Sequence, residues 1–531
     1  MPDPGDGMAV LGQLMLAFEG KTLPEEMSRR LRDRPAAGAT LFRHANVEDP
    51  GQLRELTDAI QRLAPEGLPF LIAMDQEGGQ LAGLGAASTP FAGAMALGAV
   101  GDEDLCQRVG SAIGMELRAA GVNVNYAPVC DLATNPANPA LGVRAFGDDP
   151  QSAAGLVAAL VRGLAASGVA ATLKHFPGMG EISADTHHGS VAAEVDADLL
   201  RSRELVPFRS GIAAGAQMVM CGHAAVPALT GRADLPATLA APIVTALLRE
   251  ELGFDGVAIS DALNMRALAQ DSAGRAIEAI AGLRAGLDLL LLTAGDEGAE
   301  LEEALLLAAG RGLVPADGIA ASLGRVAALR RALSAVPAGG EPETSVIGSA
   351  AHRDLADELA ARSITLVRDE GGLLPLRLDP SAEVLAVMPQ PADLTPADTS
   401  STVAPGLADA IRRHHARVTP LVVAQDPDAA EIAGARAAAA AADVIVIGTI
   451  SASLQPGQVA LVDALLALGR PVITVALRTP WDLEAYPAAG THACTYSVLE
   501  PSLVALADAL FGLAPFPGRL PVRLAAMATT R

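Results

Sequence analysis

An α/β fold in two parts, an N-terminal parallel (β/α) barrel followed by a smaller α/β sandwich domain, is what the 531-residue sequence predicts. Three observations carry this. From residue 38 to about 293, short apolar runs alternate with longer helical stretches; several of those runs end on a polar or charged residue; and a second alternating series begins after a Pro/Gly/acidic break at 337–345. Nearly continuous apolar runs mark strands buried on both faces, and helices between them mark parallel crossovers. A TIM-type barrel needs about 250 residues or more and collects its chemistry at the C-terminal ends of its strands. A doubly wound open sheet is the structural alternative.

The first series offers GATLF (38–42), PFLIAMDQ (69–76), VNVNYAPVCD (122–131), VAATLKHF (169–176), AQMVMCGH (216–223), GVAISDAL (256–263) and LDLLLLT (287–293) as strands. These are seven strands, not eight, so closure of the barrel is an inference. Helical stretches such as IVTALLREEL lie between them, and SLGRVAALRRALSAV ends the unit. The expected division is a barrel domain at 1–336, a linker at 337–345 and a second domain at 346–531. The second series comprises SITLVR (363–368), EVLAVMP (383–389), VTPLVV (418–423), DVIVIGTI (443–450), PVITVAL (471–477) and ACTYSV (493–498), with Ala-rich stretches between them that read as helix formers.

Half the residues are hydrophobic but only 3% are aromatic, so the cores must be built from Ala, Leu, Val and Ile. A net charge of −23 without a Lys/Arg cluster argues against a nucleic-acid partner. The acidity reads as a solvated surface. Cys106, Cys130, Cys221 and Cys494 are scattered without a CxxC pair, so buried thiols are expected, not a disulfide or zinc framework. The first residues are acidic where a secretion signal needs basic ones, and Gln13 interrupts their apolar run, so a cytoplasmic location is expected. No membrane span is expected, because no apolar run approaches about 18 to 20 residues.

Polar residues at strand ends are the candidates for chemistry. Asp261 in GVAISDALNM can attack an anomeric carbon or cap the following helix. Asp75, followed by Glu77 and a Gly-Gly turn, suits sugar hydroxyls or a turn cap. Arg144, in a loop rich in Asn, Pro and Gly, can clamp hydroxyls or form an ordinary ion pair. KHFPGMGEISADTHHGS, residues 174–190, divides into two parts. Lys174 and His175 close a strand and point into the mouth. The rest is a loop to which Gly178, Gly180 and Gly189 are expected to give mobility, and Asp185 and His187, one residue apart, can form a dyad in which the carboxylate orients an acid/base imidazole. A solvated loop pair is the plain alternative. His188 reads as a bystander. A metal site on His175, His187, His188, His223 and Asp261 lacks HxH or HExxH spacing, and no dinucleotide fingerprint, phosphate loop or GxSxG elbow occurs, so no metal or cofactor is expected.

Taken in order, DQEGG (75–79), NPANPALGVRAFGDDP (135–150), LKHFPG with DTH (173–187), MCGHAAVPAL (220–229) and LREELGFDGVAISDALNM (248–265) resemble glycoside hydrolase family 3, in its bacterial β-N-acetylglucosaminidase branch. SITLVRDEGGLLPL, QPGQVALVDALLALGRPVITVALRTPWDL and PFPGRLPV are similar to the C-terminal domain of its two-domain members. The resemblance implies a retaining hydrolase of terminal β-linked N-acetylglucosamine in cell-wall or chitin-type oligosaccharides. In it Asp261 is the nucleophile, His187 assisted by Asp185 is the acid/base, and Asp75, Arg144, Lys174 and His175 hold the sugar. A phosphorylase on the same site is the near alternative, because a histidine acid/base does not repel an incoming phosphate; a sugar-binding protein with weak turnover is the other. Two departures stand out: the family usually has PGHGD where this chain has Pro177 to Glu181 with Met179 inside, and often an arginine after DQEGG where this chain has Gln80.

Overall fold

The structure is a computed structural model that describes residues 7–34, 36–186, 189–269, 271–293, 298–334, 340–393, 395 and 398–525. Its strands, in chain order, are β1 (Leu14–Leu16), β2 (Gly38–Thr40), β3 (Leu71–Met74), β4 (Gln76–Gly78), β5 (Leu81–Ala82), β6 (Val124–Asn125), β7 (Ala170–Phe176), β8 (Met218–Cys221), β9 (Val257–Ala262) and β10 (Leu289–Leu291), followed by β11 (Thr365–Asp369), β12 (Val384–Pro389), β13 (Val418–Val423), β14 (Val444–Thr449), β15 (Val472–Ala476) and β16 (Thr491–Cys494).

A closed parallel barrel runs β1-β10-β9-β8-β7-β6-β3-β2, while β4 and β5 form a small antiparallel hairpin after β3. The barrel, not the open sheet, is therefore the architecture. The strand that closes it is β1, which pairs with β10 on one side (Met15 with Leu291) and with β2 on the other (Leu16 with Ala39). Gln13, just before it, donates from Nε2 to the carbonyls of Leu287 (3.4 Å) and Asp288 (3.3 Å). Alternate residues such as Leu71, Ala73, Met218, Met220, Val257 and Ile259 fill the interior. Their neighbours Ile72, Val219 and Ala258 face the surrounding helices, so both faces are apolar. Part of the acidity caps helices: the side chains of Asp49, Asp102, Asp149, Asp196 and Asp271 each accept from a backbone N–H of the first turn.

The predicted strand at 122–131 is shorter in the structure. After β6 the chain carries Pro128, which has no N–H to donate, and its pairing with β7 continues as an isolated bridge between Val129 and Lys174.

The second domain is a six-stranded sheet in the order β11-β16-β15-β14-β12-β13, parallel except for the β11–β16 pair. Its last strand lies at 491–494, earlier than the apolar run at 493–498 suggests. The polar Thr491 and His492 belong to the ladder, with His492 Nδ1 2.9 Å from Thr474 Oγ1 in the core, and the chain turns away at Tyr496 with φ of 60°.

Three sets of backbone and buried-carboxylate contacts help to join the domains. The buried carboxylate of Glu116, on the barrel helix Glu103–Ala119, accepts from the backbone N–H of Thr89 (3.1 Å) and Gly348 (3.0 Å) and lies 2.9 Å from His352 Nδ1. Thr399 of the second domain bonds the β4–β5 hairpin: its N–H donates to the Gln80 carbonyl (2.8 Å), and its Oγ1 accepts from the Ala82 N–H (3.2 Å). The chain then returns to the barrel, where Arg519 N–H donates to the Ala99 carbonyl and Asp148 N–H to the Pro521 carbonyl, each at 3.0 Å. Among the described residues no helix is long and apolar enough to cross a membrane.

Candidate active site

The C-terminal ends of the barrel strands enclose a cavity of about 90 Å³ whose wall includes Asp75, Arg144, Lys174, His175, Asp185 and Asp261. Six of the seven sequence candidates therefore come together. The seventh, His187, lies outside the described residues, as does His188.

Lys174 and His175 lie near the C-terminal end of β7, just before Phe176, and all seven residues of the strand are buried. Consecutive strand residues normally point to opposite faces, but the register with β8 shifts between Leu173 and Phe176, and both side chains reach the cavity. Lys174 Nζ lies 2.5 Å from Asp75 Oδ1 and 2.5 Å from Glu77 Oε1. Arg144 grips the same Glu77 carboxylate with both arms of its fork, from Nη2 at 2.8 Å and Nε at 2.9 Å, and donates from Nη1 to the Ala140 carbonyl.

Glu77 is thus the buried anion that joins the two cations. Burial alone would raise its pKa, but the charges of Arg144 and then Lys174 outweigh it and hold the carboxyl at about 2. Burial pulls Lys174 the other way, and the carboxylates of Asp75 and Glu77 more than restore it, so its pKa lies above the usual lysine value. Side-chain exposure separates the members: Lys174, Glu77 and Arg144 retain 2, 6 and 7%, whereas Asp75 retains 30%. Asp75 is therefore the member of this network that presents free acceptor surface to a ligand.

His175 is oriented from behind by Asp131. Its Nδ1 lies 2.7 Å from Asp131 Oδ2, so Nδ1–H donates to the carboxylate and Nε2 is turned away from it. The same carboxylate accepts the N–H of Met179 at 2.8 Å, coupling the imidazole to the loop that follows. Asp261 closes β9, where its Oδ1 accepts from the Ala262 N–H at 2.7 Å. The buried His223 stands 3.0 Å from the Ala262 carbonyl through Nε2 and 2.7 Å from Thr238 Oγ1 through Nδ1, which fixes the turn beyond Asp261.

The loop after β7 is held along its first half. Asn138 Nδ2 donates to the carbonyls of Met179 (2.8 Å) and Gly180 (3.2 Å), and Asn135 Nδ2 to that of Ile182 (3.1 Å). Mobility is not what two of its glycines supply. Gly178 has φ of 121°, and a Cβ on Gly180 would lie 2.3 Å from the Leu132 carbonyl oxygen, so both permit close packing. Met179 is buried and lines the cavity, and Glu181 pairs with Arg203. Arg203 also reaches the buried Glu204 (2.6 Å), whose other oxygen has no hydrogen-bond partner among the described residues. Desolvation raises Glu204 to about 7, with Arg203 offsetting only part of it. Gln80 lines a separate small crevice with Asn138, Ser451 and Trp481.

Sequence reasoning assigned no role to Glu77, Asp131 or His223. Position is the signal that could have flagged Glu77: it stands two residues from Asp75 at the same strand end, where buried cations need paired carboxylates.

The chain is similar to known proteins in sequence and in overall fold. The chain matches the glycosyl hydrolase family 3 N-terminal domain over residues 10–329 and the glycosyl hydrolase family 3 C-terminal domain over residues 364–530. It is 31% identical to β-hexosaminidase A of Pseudoalteromonas piscicida, over 94% of this chain and 91% of that protein. A β-hexosaminidase of Stenotrophomonas maltophilia is 36% identical over 58% of this chain and 94% of its own length. Among solved structures, a family 3 β-N-acetylglucosaminidase from Paenibacillus sp. str. FPU-7 superposes with a TM-score of 0.91 at 33% identity, over 98% of this chain and 99% of that one.

Proposed function

Since the chain belongs to glycosyl hydrolase family 3 and is a glycosidase of the β-N-acetylhexosaminidase kind, we propose that it releases terminal non-reducing β-linked N-acetylglucosamine from cell-wall or chitin-type oligosaccharides, with retention of configuration. One observation carries this: a carboxylate, Asp261, shares a small cavity with Asp185 and with a prearranged set of sugar-compatible groups, Asp75, Arg144, Lys174 and His175. In this mechanism Asp75 accepts from sugar hydroxyls, and Lys174, locked between two carboxylates, donates to them from a fixed position. Arg144 keeps Glu77 in place and completes the wall.

The Asp261 carboxylate attacks C1 while protonated His187 gives its proton to the glycosidic oxygen; the C1–O bond breaks, the aglycone leaves as an alcohol, and a glycosyl ester remains on Asp261. His187, now neutral and oriented by Asp185, takes a proton from water as the water oxygen attacks C1 and Asp261 departs.

The experiment is proton NMR of the sugar released from a β-linked N-acetylglucosamine oligosaccharide, with and without added phosphate. The β-anomer of free N-acetylglucosamine should appear first. The α-anomer first would overturn retention, and sugar 1-phosphate as the main product would overturn water as the acceptor.

A further inference from the structure

Outside the sugar cavity the mouth widens into a cleft of about 710 Å³ that shares Phe42, Asp75, Leu81 and Met265 with it. The barrel supplies one wall, from Phe42 and Arg43 at the end of β2. The second domain supplies the facing wall, through Asp393, Thr399, Ser401 and Thr402.

That facing wall is rigidly built. Arg478, buried beneath it, donates from Nη2 to Asp398 (2.5 Å) and to Ser400 Oγ (2.9 Å). Asp398 in turn accepts the Ser400 N–H (2.9 Å), Asp393 holds Ser401 through its N–H (2.7 Å) and hydroxyl (2.6 Å), and Thr399 is fastened to the hairpin that follows Asp75. The walls meet where Arg43 Nη1 donates to Thr402 Oγ1 at 3.1 Å. Thr402 is the one hydrogen-bond partner of Arg43 among the described residues, and no carboxylate there pairs with it. Its remaining N–H groups are available to a ligand.

The chemistry of the cleft is mixed in the way a pyranose is. The Phe42, Leu81 and Met265 side of the opening suits the C–H face of a sugar ring. Beside it Arg43 donates, and on the facing wall Asp393 accepts, which suits hydroxyl and ring oxygens and gives an alkyl or plain aryl group nothing to pair with.

Resting on the glycosidase reading above, we propose that this cleft is the subsite for the leaving portion of the substrate, that it takes a second pyranose unit, and that Arg43 and Thr402 recognise that unit across the domain boundary. The second domain is then part of the specificity apparatus, and Arg43 is a specificity residue that touches neither the reacting bond nor the terminal sugar.

The test compares kcat/KM on the β-1,4-linked disaccharide of N-acetylglucosamine with kcat/KM on its 4-nitrophenyl glycoside, in wild type, Arg43→Ala and Thr402→Trp. The aryl group makes little use of the polar wall. The disaccharide-to-aryl ratio should fall about tenfold or more in each variant, the scale of a lost hydrogen bond to a charged group for the first and of an obstructed subsite for the second. A ratio that stays within threefold of wild type in both variants overturns the assignment. Thr402 is exposed, so its variant keeps the comparison decisive if Arg43→Ala folds poorly. Failure of the underlying reading looks different: wild type then transfers the sugar to phosphate or releases the α-anomer, whatever the ratio does.

Discussion

Glu77 shows how far a single carboxylate organises this site. It neutralises Arg144 and Lys174 together from a position with 6% side-chain exposure. Glu77→Gln leaves two buried cations sharing Asp75, and should cost about 3 kcal/mol or more in urea unfolding at neutral pH. Because the folded pKa of Glu77 is depressed to about 2 from 4.5, its contribution is complete above pH 4.5 and disappears as the pH falls toward 2, so the variant and wild type should converge in acid. Glu204 has the opposite sign. Its folded pKa is raised to about 7, so burying it costs nothing below pH 4.5, costs more as the pH rises to 7, and is fully unfavourable above that. Glu204→Gln should therefore gain stability over wild type between pH 4.5 and 7, reaching about 2 kcal/mol once the lost Arg203 contact is allowed for. A flat difference across that interval would contradict the burial argument. The strand-end position made Asp75, Lys174, His175 and Asp261 legible as candidates, because the C-terminal ends of barrel strands lie at the mouth. Glu77 and Asp131 were harder to see, since their importance lies in what they are paired with, and pairing is a property of the closed barrel.

At the scale of elements, hydrophobic pattern found the strands and misjudged their ends. The ladder of β6 spans only Val124–Asn125 because Pro128 breaks it, and that of β16 starts on Thr491 because a buried histidine finds a threonine partner. The first strand escaped notice: three residues make too short a period, and Gln13 reads as an interruption although its side chain is what stitches the start of the barrel to its last strand. The loop after β7 gives the other lesson. Glycine there suggested motion, yet Gly180 is required by the nearness of the Leu132 carbonyl. Gly180→Ala should lower stability by about 2 kcal/mol or more and reduce kcat with it, since the same loop carries the proposed acid/base dyad. Gly189, with nothing within 4 Å of an added Cβ, should accept alanine without measurable loss in thermal unfolding. Met179 and Glu181, the departures from the family pattern, are absorbed by packing and by Arg203.

As a whole, the molecule joins two α/β units through contacts that neither satisfies alone. Composition foresaw a core of Ala, Leu, Val and Ile almost without aromatics, to which the barrel adds Met15, Met218 and Met220, but gave no hint of the joint, which lies in side chains far apart in sequence. A match over 58% of this chain spans 94% of the Stenotrophomonas relative's own length. In this chain the barrel leans on the second domain. A chain ended after residue 336 lacks Gly348 and His352, leaving Glu116 with Thr89, and lacks the 519–523 segment beside Asp148. Its melting temperature in calorimetry should lie roughly 6 °C or more below that of the full chain, which should unfold in one transition. An unchanged melting temperature would show the joint to be energetically idle.

Glu116 also sets an order in time. A ribosome delivers residues from the N-terminus, and the helix carrying this carboxylate is complete some 230 residues before Gly348 and His352 exist to meet it. Throughout that interval the carboxylate has Thr89 but not Gly348 or His352, and it is the start of the second domain that completes its set of partners.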